Sequence, residues 1–205
     1  TNTSFCSWFG VTCNPRSQRV IALNLPNMNL EGKISPSLAN LSFLTMLNLS
    51  NNIFHGILPY ELGNLPLLEV IDVRNNQLQG TIHTSVGNIT KLERLRLDGN
   101  RFSGKIPTEI GNLSQLVELD LSHNQLTGSI PASIFSISSL RAVYLVNNTL
   151  SGSFLVNEEK GLLNLEVIDL GYNKIIGEIP SGICQFSELT TLVLSYNNLT
   201  GQIPR

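Results

Sequence analysis

The sequence predicts an α/β solenoid, a coil of like turns stacked side by side, and three columns of residues predict it. Glycine recurs every 24 residues at Gly32, Gly56, Gly80, Gly104, Gly128 and Gly152, and the series continues through Gly177 and Gly201. Four residues ahead of it stands an asparagine column, Asn52, Asn76, Asn100, Asn124, Asn148, Asn173 and Asn197, with Met28 in the first slot. Before each asparagine lies an apolar triplet spaced L-x-x-L-x-L, such as Leu44, Leu47 and Leu49 or Leu116, Leu119 and Leu121. A fixed period of roughly 20–50 residues is the mark of a repeat architecture, in which each unit hides its apolar face only against its neighbours.

Taken in order, residues 1–19 form an N-terminal cap, and residues 20–205 form repeats at 20–43, 44–67, 68–91, 92–115, 116–139, 140–164, 165–188 and a partial one at 189–205. Each triplet predicts a short strand. Leu47 and Leu49 are two apart, so they share one face, while Met46, Asn48 and Ser50 share the other. Successive strands predict a parallel sheet, with each buried leucine contributing roughly 1.5–3 kcal/mol. The asparagines are expected to turn inward at the strand ends and satisfy backbone groups of adjacent turns. Deleting one such amide is expected to leave buried partners unpaired, at about 1–3 kcal/mol.

Composition narrows the function. The chain has 205 residues, a net charge of −2, 41% hydrophobic and 14% charged residues, with 34 leucines and 23 asparagines filling the gap. A near-neutral balance excludes a chain built mainly to coat nucleic acid. No uncharged apolar run approaches the roughly 18 residues a membrane span needs, so no membrane contact is expected of this segment.

The stretch after each glycine carries a resemblance. Gly104, Ile106, Pro107, Ile110, Gly111, Asn112 and Leu113 match Gly-x-Ile-Pro-x-x-Ile/Leu-Gly-Asn-Leu, and Gly56, Pro59, Leu62, Gly63, Asn64 and Leu65 follow with Leu58 in place of Ile. Ser35 and His83 stand where proline is expected, and Phe154-Leu155 replaces Ile-Pro. This pattern resembles the plant extracellular class of leucine-rich repeat. The resemblance implies a curved right-handed superhelix, a parallel β-sheet on its concave face, short 3-10 or helical turns on the convex side, and a second short sheet along the flank.

Cys6-Ser-Trp8-Phe-Gly10-Val11-Thr-Cys13 is similar to that family's cap motif, C-x-W-x-G-V-x-C. It implies a Cys6–Cys13 disulfide, an oxidising setting, and Trp8 covering the apolar end of the first repeat. Zinc would need four ligands, and no second pair stands nearby; no metal and no cofactor are expected. Cys184 shares a repeat position with Gly63, Gly87 and Gly111, so a buried small thiol is expected there. The chain starts at Thr1 and stops within a repeat at Arg205, and is read as the N-terminal portion of a longer ectodomain. Asn-x-Ser/Thr triplets place glycans at Asn2, Asn40, Asn88, Asn112, Asn147 and Asn198. Asn48 fits the triplet too, but a glycan there would block the strand face.

Catalytic constellations are missing from the sequence. His55, His83 and His123 occupy unrelated repeat positions, and Gly99-Asn-Arg-Phe-Ser-Gly104-Lys105 imitates a phosphate loop with Ile106 where Mg²⁺ needs a hydroxyl. Asp98, Glu118 and Asp120 cluster on the outward face in the manner of a glycosidase, but Arg74, Arg94 and Arg96 are expected to hold them ionised, the opposite of what a general acid needs. The chain is therefore read as non-catalytic, with any kinase domain of the parent protein elsewhere.

Function is expected on the outward strand positions, because the inward ones are committed to packing. Repeats three to five put forward a charged cluster of Arg74, Arg94, Arg96, Asp98 and Asp120. Repeats six to eight put forward Tyr144, Val146, Tyr172, Val193 and Tyr196, with His123 at the border, and exposed apolar groups of this kind mark binding sites. Arg94-Leu-Arg96 resembles the Arg-x-Arg pair with which some plant peptide-hormone receptors hold a terminal carboxylate. The expected role is ligand recognition by the ectodomain of a plant receptor kinase or receptor-like protein, at the outer face of the plasma membrane, in immune or developmental signalling. The expected partners are a peptide or protein ligand and a co-receptor kinase reached through the membrane-proximal part. The alternative is a protein secreted to the cell wall, similar to the polygalacturonase-inhibiting proteins.

Overall fold

Two parallel sheets run the length of the molecule, one strand of each per turn. The structure, a computed structural model, describes residues 4–155 and 164–204. The first sheet opens with a cap hairpin, β1 (Val11–Cys13) antiparallel to β2 (Val20–Asn24). It continues in parallel through β4 (Met46–Asn48), β6 (Val70–Asp72), β8 (Arg94–Arg96), β10 (Glu118–Asp120), β12 (Ala142–Tyr144), β14 (Val167–Asp169) and β16 (Thr191–Val193). The second holds β3 (Glu31–Lys33), β5 (Ile53–Gly56), β7 (Gln77–Thr81), β9 (Arg101–Lys105), β11 (Gln125–Gly128), β13 (Thr149–Ser153), β15 (Lys174–Glu178) and β17 (Asn198–Thr200). Short 3-10 turns, among them Pro36–Asn40, Tyr60–Asn64, Thr84–Asn88 and Thr108–Asn112, close the coil opposite the first sheet.

The core lies between these layers. Leu47, Ile71, Leu95, Leu119, Val143 and Ile168 point inward from the first sheet and are fully buried. Leu78, Phe102, Leu126 and Leu150 meet them from the second. Leu192, in the same column, is 38% exposed because β16 is the outermost strand of its sheet, with a neighbour on one side only.

The asparagine column fastens one turn to the next. Asn100 Nδ2 donates to the carbonyls of Val73, Leu97 and Asp98 at 3.0–3.2 Å, and its Oδ1 accepts from Leu78 N–H at 3.0 Å. Asn52, Asn76, Asn124, Asn148, Asn173 and Asn197 repeat the pattern. Where the turn-starting proline is absent, a side chain replaces its restraint. Ser35 Oγ accepts from Ser37 N–H and His83 Nδ1 from Ser85 N–H, and both residues hold φ near the −60 to −66° of Pro59, Pro107, Pro131 and Pro180.

Cys6 and Cys13 form the expected disulfide. Two other expectations need correction. Trp8 does not cover the end of the coil: it is 61% exposed, and with Phe5, Phe9, Leu23 and Leu25 it lines an open apolar groove of about 510 Å³. Cys184 is exposed and free rather than buried. Its repeat position demands a small residue only where another turn packs against it. A Cβ on Gly63 would lie 2.5 Å from Ser85 O, and one on Gly111 would lie 2.5 Å from Ser133 Cβ. Cys184 sits in the last described 3-10 turn, Ser181–Gln185, and meets no such neighbour.

Candidate functional site

Each strand of the first sheet turns its middle side chain inward, so the two flanking ones form the outer face. Exact register lines them up across strands: Asp72, Arg96, Asp120, Tyr144, Asp169 and Val193 stand in one row. The charged half of this face is a lattice. Arg96 forks onto Glu118, with Nε at 2.8 Å from Oε1 and Nη2 at 2.6 Å from Oε2, and lies 3.7 Å from Asp72 Oδ2. Arg74 reaches Asp72 from the other side at 3.5 Å. Asp72, an outward residue by alternation, is buried beneath these two guanidinium groups. Arg94 turns away to Glu93 at 3.6 Å. The two arginines of the Arg-x-Arg pair therefore point to different acids, and Arg96 has both edges of its fork filled.

Asp98 and Asp120 depart from expectation. Burial, reinforced by Asp120, pushes the Asp98 carboxyl up to about 6, and its Oδ1 is buried without a hydrogen-bond partner. Burial also raises Asp120. The arginines do not bring these two carboxyls back to the ordinary range, because their guanidinium groups lie against Asp72, Glu93 and Glu118, and Arg74 lowers Asp98 by less than burial raises it. Desolvation wins over a charge that sits elsewhere.

The other half of the face is aromatic. Tyr172 and Tyr196 stack with ring centroids 4.1 Å apart and planes 15° from parallel, while 52% and 69% exposed. Hydrogen bonding to Tyr196 raises the Tyr172 phenol above its ordinary value. Tyr144, Val146 and Val193 are half-buried beside them. Both stacked tyrosines occupy the position where the chain leaves the strand in a left-handed turn. Asn51, Asn75, Gly99, His123, Asn147, Tyr172 and Tyr196 all have φ between 52° and 64° there. Asparagine and glycine tolerate that geometry; for other residues it costs roughly 1–2 kcal/mol. Side chains in this column also bond to one another, Asn75 Nδ2 to Asn51 Oδ1 at 2.8 Å and Asn147 Nδ2 to His123 Nδ1 at 3.0 Å. The face thus ends in a ladder whose last described rungs are two tyrosines.

Among the glycan positions, Asn40, Asn88 and Asn112 each end a 3-10 turn, away from this face, and are exposed. Asn147 and Asn198 are exposed as well, and Asn2 lies outside the described residues. Asn48 is half-buried, its amide tied to Asn24 Oδ1 at 2.8 Å. Among the described residues no group of His, Cys, Asp and Glu is arranged to hold a metal ion, and no helix is long and apolar enough to cross a membrane. The periodicity places Asp72, Glu118 and Asp169 on the outward columns, but none of the three is among the ligand-binding candidates; their part in the face shows only in the pairing of Asp72 and Glu118 with Arg96 and in the register of Asp169 beside Tyr144.

Models of the leucine-rich repeat match residues 90–150 and, one repeat at a time, 43–65, 67–89, 164–186 and 188–205. The LRR receptor-like serine/threonine-protein kinase EFR of Arabidopsis thaliana is 56% identical over 46 residues, 22% of this chain and 4% of that protein. The crystal structure of PEPR1-AtPEP1 superposes with a TM-score of 0.90 at 33% identity, covering 95% of this chain and 27% of that one. The ectodomain of the Arabidopsis receptor kinase HAESA, in complex with an N-terminally extended IDA peptide hormone ligand, superposes with a TM-score of 0.64 at 37% identity, covering 85% of this chain and 33% of that one. The chain therefore spans 4% of the EFR sequence and about a quarter to a third of these two ectodomain structures.

Proposed function

We propose, from the premise that this chain belongs to the leucine-rich repeat family, that it is part of the ligand-recognising ectodomain of a plant cell-surface receptor, and that it binds a peptide or protein on the outer face of its first sheet. The observation that carries this reading is the stacked, solvent-facing Tyr172–Tyr196 pair, held in a backbone conformation that disfavours tyrosine. Strain of this kind persists where something beyond packing retains it, and exposed aromatic groups are the commonest anchors of binding energy. The inward residues hold the coil together, so they offer a partner nothing. Peptide-bound ectodomains among the structural relatives support the reading, as does the disulfide, which suits an extracellular setting. On this reading the chain itself catalyses nothing. Asn40, Asn88 and Asn112 would carry glycans on the side away from the ligand, and a co-receptor kinase would be engaged through other parts of the receptor.

The experiment uses 12-residue peptides selected from a displayed random library on the full chain. Tyr144→Ala combined with Tyr172→Ala is expected to weaken the selected peptides by more than about 2 kcal/mol, roughly 30-fold, with an unchanged melting temperature. Equal loss from substitutions around Asn88, on the opposite side, would contradict the proposal.

A further inference from the structure

We infer that the row Asp120–Tyr144–Asp169 seats a cationic side chain, arginine or lysine, of an extended peptide whose neighbouring apolar residue lies on the Tyr172–Tyr196 stack. This rests on the peptide-binding reading above and names the chemistry of the ligand.

The protein itself shows how such a row takes a cation. Three consecutive positions, Asp72, Arg96 and Asp120, stand in register on β6, β8 and β10, and the Arg96 guanidinium lies against Asp72 and Glu118. The next three, Asp120, Tyr144 and Asp169, stand in the same register on β10, β12 and β14, with a phenol ring where the arginine was. Asp72, Asp120 and Asp169 are oriented alike. In each, Oδ1 accepts the N–H two residues on, from Arg74, Ser122 and Gly171 respectively, which leaves Oδ2 as the outward atom. On Asp72 that oxygen faces Arg96. On Asp120 and Asp169 it has no ion pair among the described residues.

Charge accounting gives the same answer. Arg74, Arg94 and Arg96 are each within 4 Å of a carboxylate of this chain, and Arg141, just below the row, is tied to Glu166. Asp120 and Asp169 have no arginine or lysine within 4 Å among the described residues, so the aromatic half of the face is bordered by two carboxyl groups without such a partner, with His123 acting on Asp120 from the loop beyond β10. The other charged groups facing it are Glu118, already forked by Arg96, and His123, whose ring bonds Asn147. The strand register places the Tyr144 ring between Asp120 and Asp169, and burial first, then Glu118, Asp120 and Asp169, raise its phenol against the opposing pull of Arg96. Neighbouring strands are roughly 4.8 Å apart, so the two aspartates stand about 10 Å from each other on either side of the ring, wide enough for a guanidinium over its face. Extended peptide advances roughly 3.3 Å per residue, so a side chain two or three positions on reaches the tyrosine stack.

Selection from the 12-residue library on the full chain, followed by synthesis of the tightest binder, tests this. The enriched peptides are expected to carry Arg or Lys two or three positions from Phe, Tyr, Trp or Leu. Replacing that cation with citrulline or acetyl-lysine is expected to weaken binding about tenfold on the wild-type chain and less than about twofold on D120N/D169N. Asparagine keeps the Oδ1 acceptor for Ser122 and Gly171 N–H, and an unchanged melting temperature verifies it. Tyr144→Leu, which keeps an apolar side chain, gives the same loss by a second route. Peptides that depend on Tyr172 and Tyr196 but bind as well without the cation would overturn this inference and leave the binding face standing. Peptides indifferent to every substitution on the face, or no enrichment at all, would overturn both.

Discussion

Asn100→Ala tests the framework where its energetics can be worked out bond by bond. The substitution removes three donated hydrogen bonds and one accepted one. The three carbonyls do not become orphans. Val73 O keeps Asn76 Nδ2 at 3.0 Å, Leu97 O keeps Asn124 Nδ2 at 3.1 Å, and Asp98 O keeps the Asn75 N–H at 2.9 Å. Each of those losses is therefore small, about 0.5 kcal/mol. Leu78 N–H is different: it is buried and loses its side-chain acceptor, at about 1–3 kcal/mol. The total is about 2.5–4.5 kcal/mol, with the damage centred on β7 rather than β8. Asn51→Gly is the control, since it removes one exposed bond, keeps the left-handed turn, and is expected to cost about 0.5 kcal/mol or less. Guanidinium denaturation gives the totals, and amide exchange at Leu78 gives the location. A loss for Asn100→Ala below about 1 kcal/mol, or undiminished protection at Leu78, would refute the bond-by-bond reasoning.

Other perturbations separate the remaining parts of the account. Asp98 has its carboxyl pKa raised to about 6, so its ionised form is disfavoured in the fold, and stability falls as pH rises from the ordinary carboxylate range through 6. Asp98→Asn is therefore expected to stabilise at pH 7.5 by about 1–2 kcal/mol, after allowance for solvent screening at a half-exposed site, and to change little at pH 3.5; thermal melts at both values measure it. Arg96→Ala leaves buried Asp72 with Arg74 alone and is expected to cost about 1–3 kcal/mol, against about 0.5 or less for Arg94→Ala. Gly63→Ala drives a Cβ into the Ser85 carbonyl of the next turn and is expected to lower the melting temperature by several degrees, about 1–3 kcal/mol, while Cys184→Ser at the equivalent position is expected to leave it unchanged.

Much of the coil was legible because its rules are columnar. A leucine at 119 and an asparagine at 124 sit inside for the same reason as Leu95 and Asn100, so one repeat explains the next. The disulfide was legible from its motif. What escaped depends on which neighbour a flexible side chain chooses. Alternation puts Asp72 outward, but two arginines, Arg74 just past its own strand and Arg96 on the next, fold over it. Proximity in sequence suggests that Arg94 and Arg96 serve Asp98, yet their reach takes them to Glu93 and Glu118. Cys184 and Trp8 escaped because repeat logic presumes a neighbour on each side, and both stand at ends of the described coil. The left-handed column was within reach. The doublets Asn51-Asn52, Asn75-Asn76 and Asn147-Asn148 mark a position that wants asparagine or glycine, which makes Tyr172 and Tyr196 anomalous before any coordinates are known.

The central claim is that the coil hides its leucines and leaves the outer face of the first sheet to meet a partner. Amide chemical-shift mapping of the isotope-labelled chain, titrated with the tightest library-selected peptide, tests it most directly. Shifts concentrated at Asp120, Tyr144, Asp169, Tyr172, Val193 and Tyr196, with the 3-10 turns around Asn88 and Asn112 silent, are the predicted result. Shifts centred on those turns or on the second sheet, with Tyr172 and Tyr196 unmoved, would contradict it.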